Sequence, residues 1–217
     1  MIVHRFPQYS DEYWQAKKGK PSASNFSRII TPAKWEYASG AYTYACELVS
    51  QDYDYNYGMN DEFATAAMRN GTIIEPEARR AYEFYTGCDV QQVGLCVSDC
   101  GRFVCSPDGL VGEDGGLELK HPTAATHVRW LMAGGVPAEH LAQCHGFLLV
   151  TKRAWIDFMS WYPGMPPLMA RVTPDDKTVK LAEALERFDR TLTEIRTKIA
   201  GGEPVAVAPR EPQEAYF

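Results

Sequence analysis

Residues 104–122 read VCSPDGLVGEDGGLELKHP, and the rest of the chain is organised around them. Val104-Cys105 reads as one short strand leading into Ser106-Pro107-Asp108-Gly109, a turn by its Pro and Gly content. Residues 111–116 form a Gly-rich, acidic connection. Residues 116–120, GLELK, then alternate with the period of two of a second strand. Leu117 and Leu119 share one face of that strand, and Glu118 and Lys120 the other. Asp108 arrives from the adjacent turn, so two carboxylates and an ammonium converge on one spot.

Such a set suits phosphodiester hydrolysis. The reaction needs a nucleophile at neutral pH and relief of charge on the leaving oxygen. Mg²⁺ takes oxygen ligands and keeps several waters, so one or two carboxylates plus substrate phosphate oxygens suffice to hold it. A bound cation acidifies a coordinated water, and a pair of cations serves both the attacking and the leaving oxygen. Lys120 would orient the water or offset charge that builds in the transition state. The bland alternative is a surface hairpin with a fortuitous ion pair.

Composition bounds the classes open to the chain. Its 217 residues suit one domain, spanning 1–217, with residues 1–10 as a loosely ordered lead-in and the Pro-, Ala- and Glu-rich residues 201–217 as a loose tail. A net charge of −6 argues against a protein coated in basic surface. It does not argue against one that confines Lys and Arg to a DNA channel. Six cysteines lack a secreted-scaffold spacing. The series Cys96, Cys100, Cys105 lies in a strand-like segment without Cys-x2-Cys, which argues against a metal cluster. Residues 1–13 lack a signal-peptide pattern, and no apolar run approaches the roughly 18 residues of a membrane span. A reducing cytoplasm with free thiols is the expected location.

Along the chain, residues 11–20 begin as a short helix that Gly19 breaks. Residues 22–25 offer N-caps for a helix running to Ile30. A helix is expected over 41–53, with Tyr44, Leu48 and Val49 inward. The aromatic loop 52–60 either stacks bases or simply connects. A long helical region over 61–86, interrupted near Gly71, puts Glu75 and Pro76 at a helix start. Residues 90–97 and 102–105 read as strands. Helices follow over 123–133 and 137–150, strands over 154–162 and 168–172, and an amphipathic helix over 175–200. The apolar stripe of that last helix, Leu181 to Ile199, is expected to pack on the sheet. His127 and Arg129 either touch a DNA backbone or lie on a solvated helix face. His145 is either a ligand or a hydrogen-bonding residue.

Pro107-Asp108 with Glu118-Leu119-Lys120 resembles the PD-(D/E)XK nuclease signature. The fuller string, SPDGL followed by GLELK and Pro122, is similar to the phage lambda-type exonucleases, the YqaJ-like viral recombinase family. Trp14…Lys17-Lys18-Gly19…Ser22-Ala23-Ser24 resembles that family's opening pattern, although lysine stands where arginine is usual and the Trp-to-Gly gap is one residue shorter. Residues 69–75, RNGTIIE, and the pair Gln143 and Phe147 resemble two further family patterns.

The resemblance implies an α/β fold with a restriction-endonuclease-like core, a mixed β-sheet flanked by helices. It implies a Mg²⁺-dependent 5′→3′ exonuclease that digests one strand of linear double-stranded DNA and leaves 3′ overhangs for strand annealing. Two ions per site are expected, with Mn²⁺ as a substitute. Asp108, Glu118 and the Leu119 carbonyl would hold metal, and Lys120 would serve the water. Glu75 and Gln143 would complete the site, while Lys17 or Lys18, Ser24 and Ser106 would bind the 5′-phosphate of DNA. The family also implies a homotrimeric ring around double-stranded DNA ends and a single-strand annealing protein as partner in phage recombination. Two alternatives stay open: another PD-(D/E)XK endonuclease, and a non-catalytic DNA-binding recombination scaffold.

Overall fold

The computed structural model describes residues 1–58 and 66–202. In chain order the elements are β1 (Ile2–His4), α1 (Asp11–Lys17), a 3-10 helix (Ala23–Arg28), α2 (Ala41–Asp52), α3 (Ala66–Thr86), β2 (Val90–Gln91), β3 (Leu95–Val97) and β4 (Val104–Cys105). There follow β5 (Gly109–Val111), β6 (Gly115–Lys120), α4 (Ala124–Ala133), α5 (Ala138–Thr151), β7 (Trp155–Ser160), β8 (Leu168–Val172) and α6 (Asp176–Ala200). A five-stranded mixed sheet has the order β2-β5-β6-β7-β8, and a small antiparallel sheet has the order β1-β3-β4.

β6 is the middle strand of the large sheet. It pairs antiparallel with β5, Leu110 opposite Gly116, and parallel with β7, Glu118 opposite Phe158. A parallel pair needs a crossover, and here α4 and α5 supply it. Residues 104–122 therefore hold three strands rather than the expected two. Gly109–Val111 is itself a strand of the large sheet, while Val104–Cys105 belongs to the small one, so the Ser106-Pro107-Asp108 turn carries the chain from one sheet to the other.

The period-two pattern of β6 divides the core. Leu117 and Leu119 pack with Tyr82, Ala78, Met159 and Trp161 under α3. The opposite face joins the larger cluster around Phe147, Phe158, Ile156 and Phe188. Gly116 explains how α5 approaches so closely, because a Cβ there would overlap the Phe147 ring. Two residues of strand advance about 6.6 Å, and four residues of helix advance about 6 Å. With Phe147 over Gly116, the residue one turn earlier, Gln143, falls over Glu118.

α3 is fixed from the other side. Buried Asp157 on β7 accepts from the Tyr82 hydroxyl at 2.8 Å and from Arg171 at 2.7 and 2.9 Å. Arg79 and Glu75 lie three and seven residues before Tyr82, hence on the same helix face. α3 runs unbroken through Gly71, and Pro76 lies inside it rather than in a first turn. The part of the expected helix over 61–65 lies outside the described residues, as do residues 59–60 of the aromatic loop and 203–217 of the tail.

Other expectations give way to local packing. Residues 1–10 are tied down rather than loose, since β1 pairs with β3 and Gln8 donates to the Pro107 carbonyl at 3.2 Å. Residues 90–97 split into β2 and β3, strands of different sheets; between them the Gly94 amide donates to His4 at 2.9 Å, and a Cβ on Gly94 would strike the Phe6 carbonyl. The helix after Ser22 is a six-residue 3-10 turn with no side-chain cap. The α6 stripe, begun by a capping box at Asp175 and Thr178, packs mainly on α2 and α5 rather than on the sheet, with Phe188 stacked on Tyr44 at 5.4 Å. His127 is fully buried, bonded to Ser160 at 2.7 Å and to the Pro166 carbonyl at 3.0 Å, so it touches no DNA backbone; Arg129 is the exposed member of the pair. Buried His145 bonds Thr178 at 2.8 Å. Cys96 and Cys105 are register partners on β3 and β4, and Cys100 is exposed in the turn, so the three thiols form no cluster.

Candidate active site

A cavity of about 290 Å³ opens where α1, the 3-10 helix, the 106–108 turn, β6 and α5 meet. Of the site residues expected from the sequence, Lys17, Ser24, Ser106, Asp108, Glu118, Lys120 and Gln143 line it. Glu75 lines an adjoining cavity that shares Gln8, Tyr9 and Asp108 with the first. Lys18 points elsewhere, donating to the Asp54 carbonyl at 2.8 Å. Leu119 turns its side chain into the core, and its amide donates to Asp108 Oδ2 at 2.6 Å.

Each carboxylate on the sheet is held by one oxygen. Glu118 Oε1 accepts from Lys120 Nζ at 2.5 Å and from Gln143 Nε2 at 2.6 Å. Glu118 Oε2 and Asp108 Oδ1 have no hydrogen-bond partner among the described residues. Glu118 is 3% exposed, and these two donors satisfy its inward oxygen, which burial would otherwise leave without a partner.

The electrostatics are unbalanced towards negative charge. Burial pushes the Asp108 carboxyl well above the usual carboxylate range, and Glu118 adds to this, while Lys120 pulls against it. Burial also raises Glu75, against Arg79, which pairs with it one turn along α3. Burial alone would lower Lys120, but Glu118 and Asp108 raise it above its ordinary value, so it stays an ammonium. Arg79 also donates to the Asp108 carbonyl at 3.2 Å, so it grips the turn as well as Glu75.

This surplus of buried carboxylate is what a divalent cation relieves. Among the described residues no three His, Cys, Asp or Glu side chains are gathered to hold a metal unaided. A hard ion needs less, because one or two carboxylates with water and substrate oxygens complete its shell. Asp108 and Glu118 fit that need, each with one oxygen fixed and the other free. Their fixed oxygens carry the supporting hydrogen bonds that orient metal ligands elsewhere.

The other end of the cavity is a chain of hydroxyls and one cation. Lys17 Nζ donates to the Tyr13 hydroxyl at 2.9 Å, and Tyr13 and Ser106 Oγ lie 3.0 Å apart. Ser24 Oγ is 3.3 Å from Ser22 Oγ. These groups can hydrogen-bond a phosphate. Sequence reasoning missed Tyr13, Arg79 and Tyr9. The first two stand four residues from an expected site residue on a helix, and that spacing is the signal that would have found them. For Tyr9 no signal in the sequence pointed to the site.

Among the described residues no helix is long and apolar enough to cross a membrane. No curated protein sequence matches the chain. Two crystal structures of the alkaline exonuclease LHK-Exo from Laribacter hongkongensis, one in complex with dAMP, resemble it with TM-scores of 0.71 and 0.70. Both are 29% identical and cover 88% of this chain and 99% of theirs. A phage-related exonuclease from Haemophilus somnus 129PT shares the fold, with a TM-score of 0.64 at 12% identity, over 83% of this chain and 96% of that one. The mixed sheet flanked by helices is thus the restriction-endonuclease-like core expected from the sequence. Residues 12–154 match the YqaJ-like viral recombinase domain. This match and the likeness to LHK-Exo support a nuclease role in recombination, and the chain belongs to the YqaJ-like viral recombinase family.

Proposed function

We propose that this protein is a divalent-metal-dependent 5′→3′ exonuclease that digests one strand of linear double-stranded DNA and leaves 3′ single-stranded overhangs. The observation that carries the reading is the single cavity with carboxylates and Lys120 at one end and Lys17, Tyr13, Ser24 and Ser106 at the other. The 5′-phosphate of a strand end sits among the Lys17 group, which places the next phosphodiester by Asp108, Glu118 and Lys120. Asp108, Glu118 and the Leu119 carbonyl would hold Mg²⁺, or Mn²⁺ in its place and two ions per site, to supply charge neutralisation at the phosphate and a more acidic water.

The chain's own residues do the rest. Lys120, held as an ammonium, orients the attacking water and offsets charge on the phosphate oxygens. Gln143 and Lys120 fix Glu118, and Arg79 fixes Glu75 and the Asp108 turn. Water adds at phosphorus and the P–O3′ bond breaks. A 5′-mononucleotide leaves with the 3′ oxygen, and the phosphate stays on the shortened strand. Each cut therefore regenerates the 5′-phosphate that the Lys17 end binds, which favours repeated cleavage along one strand. LHK-Exo is known in complex with dAMP, a mononucleotide of the class such cleavage releases. The family pattern further suggests a homotrimeric ring around DNA, action in a bacterial cytoplasm, and a single-strand annealing protein as partner in phage-type recombination.

The test offers purified protein with Mg²⁺ linear duplexes with and without a 5′-phosphate, beside closed circular DNA. Progressive loss of one strand from 5′-phosphorylated ends, with circles untouched, is the expected result. Cut circles would make the protein an endonuclease. Intact DNA of every form, with a folded protein that still binds it, would make it a recombination scaffold.

A further inference from the structure

Tyr9 has a backbone φ of 68°, in the left-handed region that favours glycine and is costly for any residue with a Cβ. Its neighbours impose that conformation. Gln8 is anchored by donating to the Pro107 carbonyl at 3.2 Å and to the Val93 carbonyl at 3.4 Å. Ser10 caps α1, accepting from the Tyr13 amide at 3.3 Å. The chain must turn sharply between these two anchors, and a tyrosine stands where glycine would be relaxed. Strain of this kind points to a function when the side chain reaches a site.

The ring does reach one. Tyr9 borders both the main cavity and the adjoining one that holds Glu75 and Arg79. It is 42% exposed, and it leans on Tyr13 at 5.6 Å and Trp14 at 6.0 Å, tilted to both. Among the described residues its hydroxyl has no hydrogen-bond partner. The polar end of the side chain is thus not what holds it in place.

A strand end bound as above has one phosphate near Lys17 and the next near Asp108. The sugar and base of the terminal nucleotide then lie along the wall that Tyr9 and Gln8 provide. An enzyme that removes every nucleotide in turn needs a contact blind to base identity. Aromatic stacking is such a contact, because every base has a π face.

We propose that Tyr9 is a base-binding residue, its ring stacking on the base of the 5′-terminal nucleotide. This rests on the exonuclease reading above. The test compares wild type with Tyr9→Gly, which removes the ring and relaxes the backbone, and Tyr9→Phe, which keeps the ring. Calorimetry measures binding of dAMP and of 2-deoxyribose 5-phosphate to each. Cleavage is followed on 5′-phosphorylated duplexes whose terminal nucleotide is normal or abasic.

Wild type is expected to favour dAMP over the sugar phosphate by roughly tenfold, Tyr9→Gly to lose that preference, and Tyr9→Phe to restore it. The ratio of normal to abasic cleavage should follow the same order. A Tyr9→Gly variant that cleaves DNA and keeps both ratios overturns the proposal while leaving the exonuclease reading standing. Wild type that neither cleaves DNA nor binds dAMP overturns both.

Discussion

The two ends of the cavity are built in opposite ways. The carboxylate end comes from a strand and its turn: Asp108, Glu118 and Lys120 lie within thirteen consecutive residues, and pleat and register aim them together. It is buried, over-supplied with negative charge and braced by α3 and α5. The phosphate end is assembled from α1, the 3-10 helix and the 106–108 turn, segments that meet only in the folded chain. It is made of hydroxyls with one lysine, from buried Tyr13 and Ser22 to exposed Ser24. On the proposed function, the contrast would assign stored electrostatic tension to the end for chemistry and adjustable hydrogen bonding to the end for the substrate.

The largest effect should come from the strand end. Lys120→Ala is expected to slow cleavage by roughly 100-fold or more, the usual cost of losing a charge-stabilising donor. Circular dichroism should stay native and metal-free DNA binding should persist. Near-native cleavage would remove Lys120 from the chemistry and dissolve the contrast. Lys17→Ala should act on preference instead, cutting the ratio of 5′-phosphate to 5′-hydroxyl cleavage about tenfold, as expected for a charged hydrogen bond. An unchanged ratio would mean that the phosphate is held elsewhere.

A third test addresses the bracing. Gly116→Ala should cost about 1–3 kcal/mol by overpacking against Phe147, read by urea denaturation. It should also shift Gln143 off Glu118 and lower activity. Activity without loss would show that α5 does not set the position of Glu118.

The smallest effect concerns the tension itself. Asp108 and Glu75 are both raised above their ordinary values. In metal-free protein their contribution to stability is complete below the unfolded value and is lost as pH rises through the folded one. At about pH 7, Asp108→Asn should therefore stabilise metal-free protein by roughly 0.5–2 kcal/mol, read by urea denaturation. The gain should shrink towards about pH 2–3, below the unfolded carboxyl value, where wild-type Asp108 is protonated whether folded or unfolded. A gain that is flat with pH would trace to packing rather than to charge.

Much of this was legible in the order of residues. The alternation of GLELK determined that Glu118 and Lys120 share a face, because a strand's side chains point to opposite sides in turn. The SPDG turn brought Asp108 beside them, and the four-residue spacing of Gln143 and Phe147 put both on one side of α5. The apolar stripe of α6, four and three apart, marked a helix with one buried face. These features are local, and backbone geometry alone carries them.

What only the tertiary structure decided depends on meetings between distant segments. Residues 104–105 and 109–111 look alike as short apolar runs, yet one joins the small sheet and the other the large. Pro76 reads as a helix start but lies inside α3, whose face is pinned by the bond between Tyr82 and Asp157. The choice between Lys17 and Lys18 rests on Tyr13 and Ser106, ninety-three residues apart, and Tyr9 enters the cavity only because Gln8 and Ser10 are anchored on either side. The reason is physical. A repeat of two or 3.6 fixes which side of an element a residue occupies, whereas the partner that side meets is chosen by the packing of the whole chain.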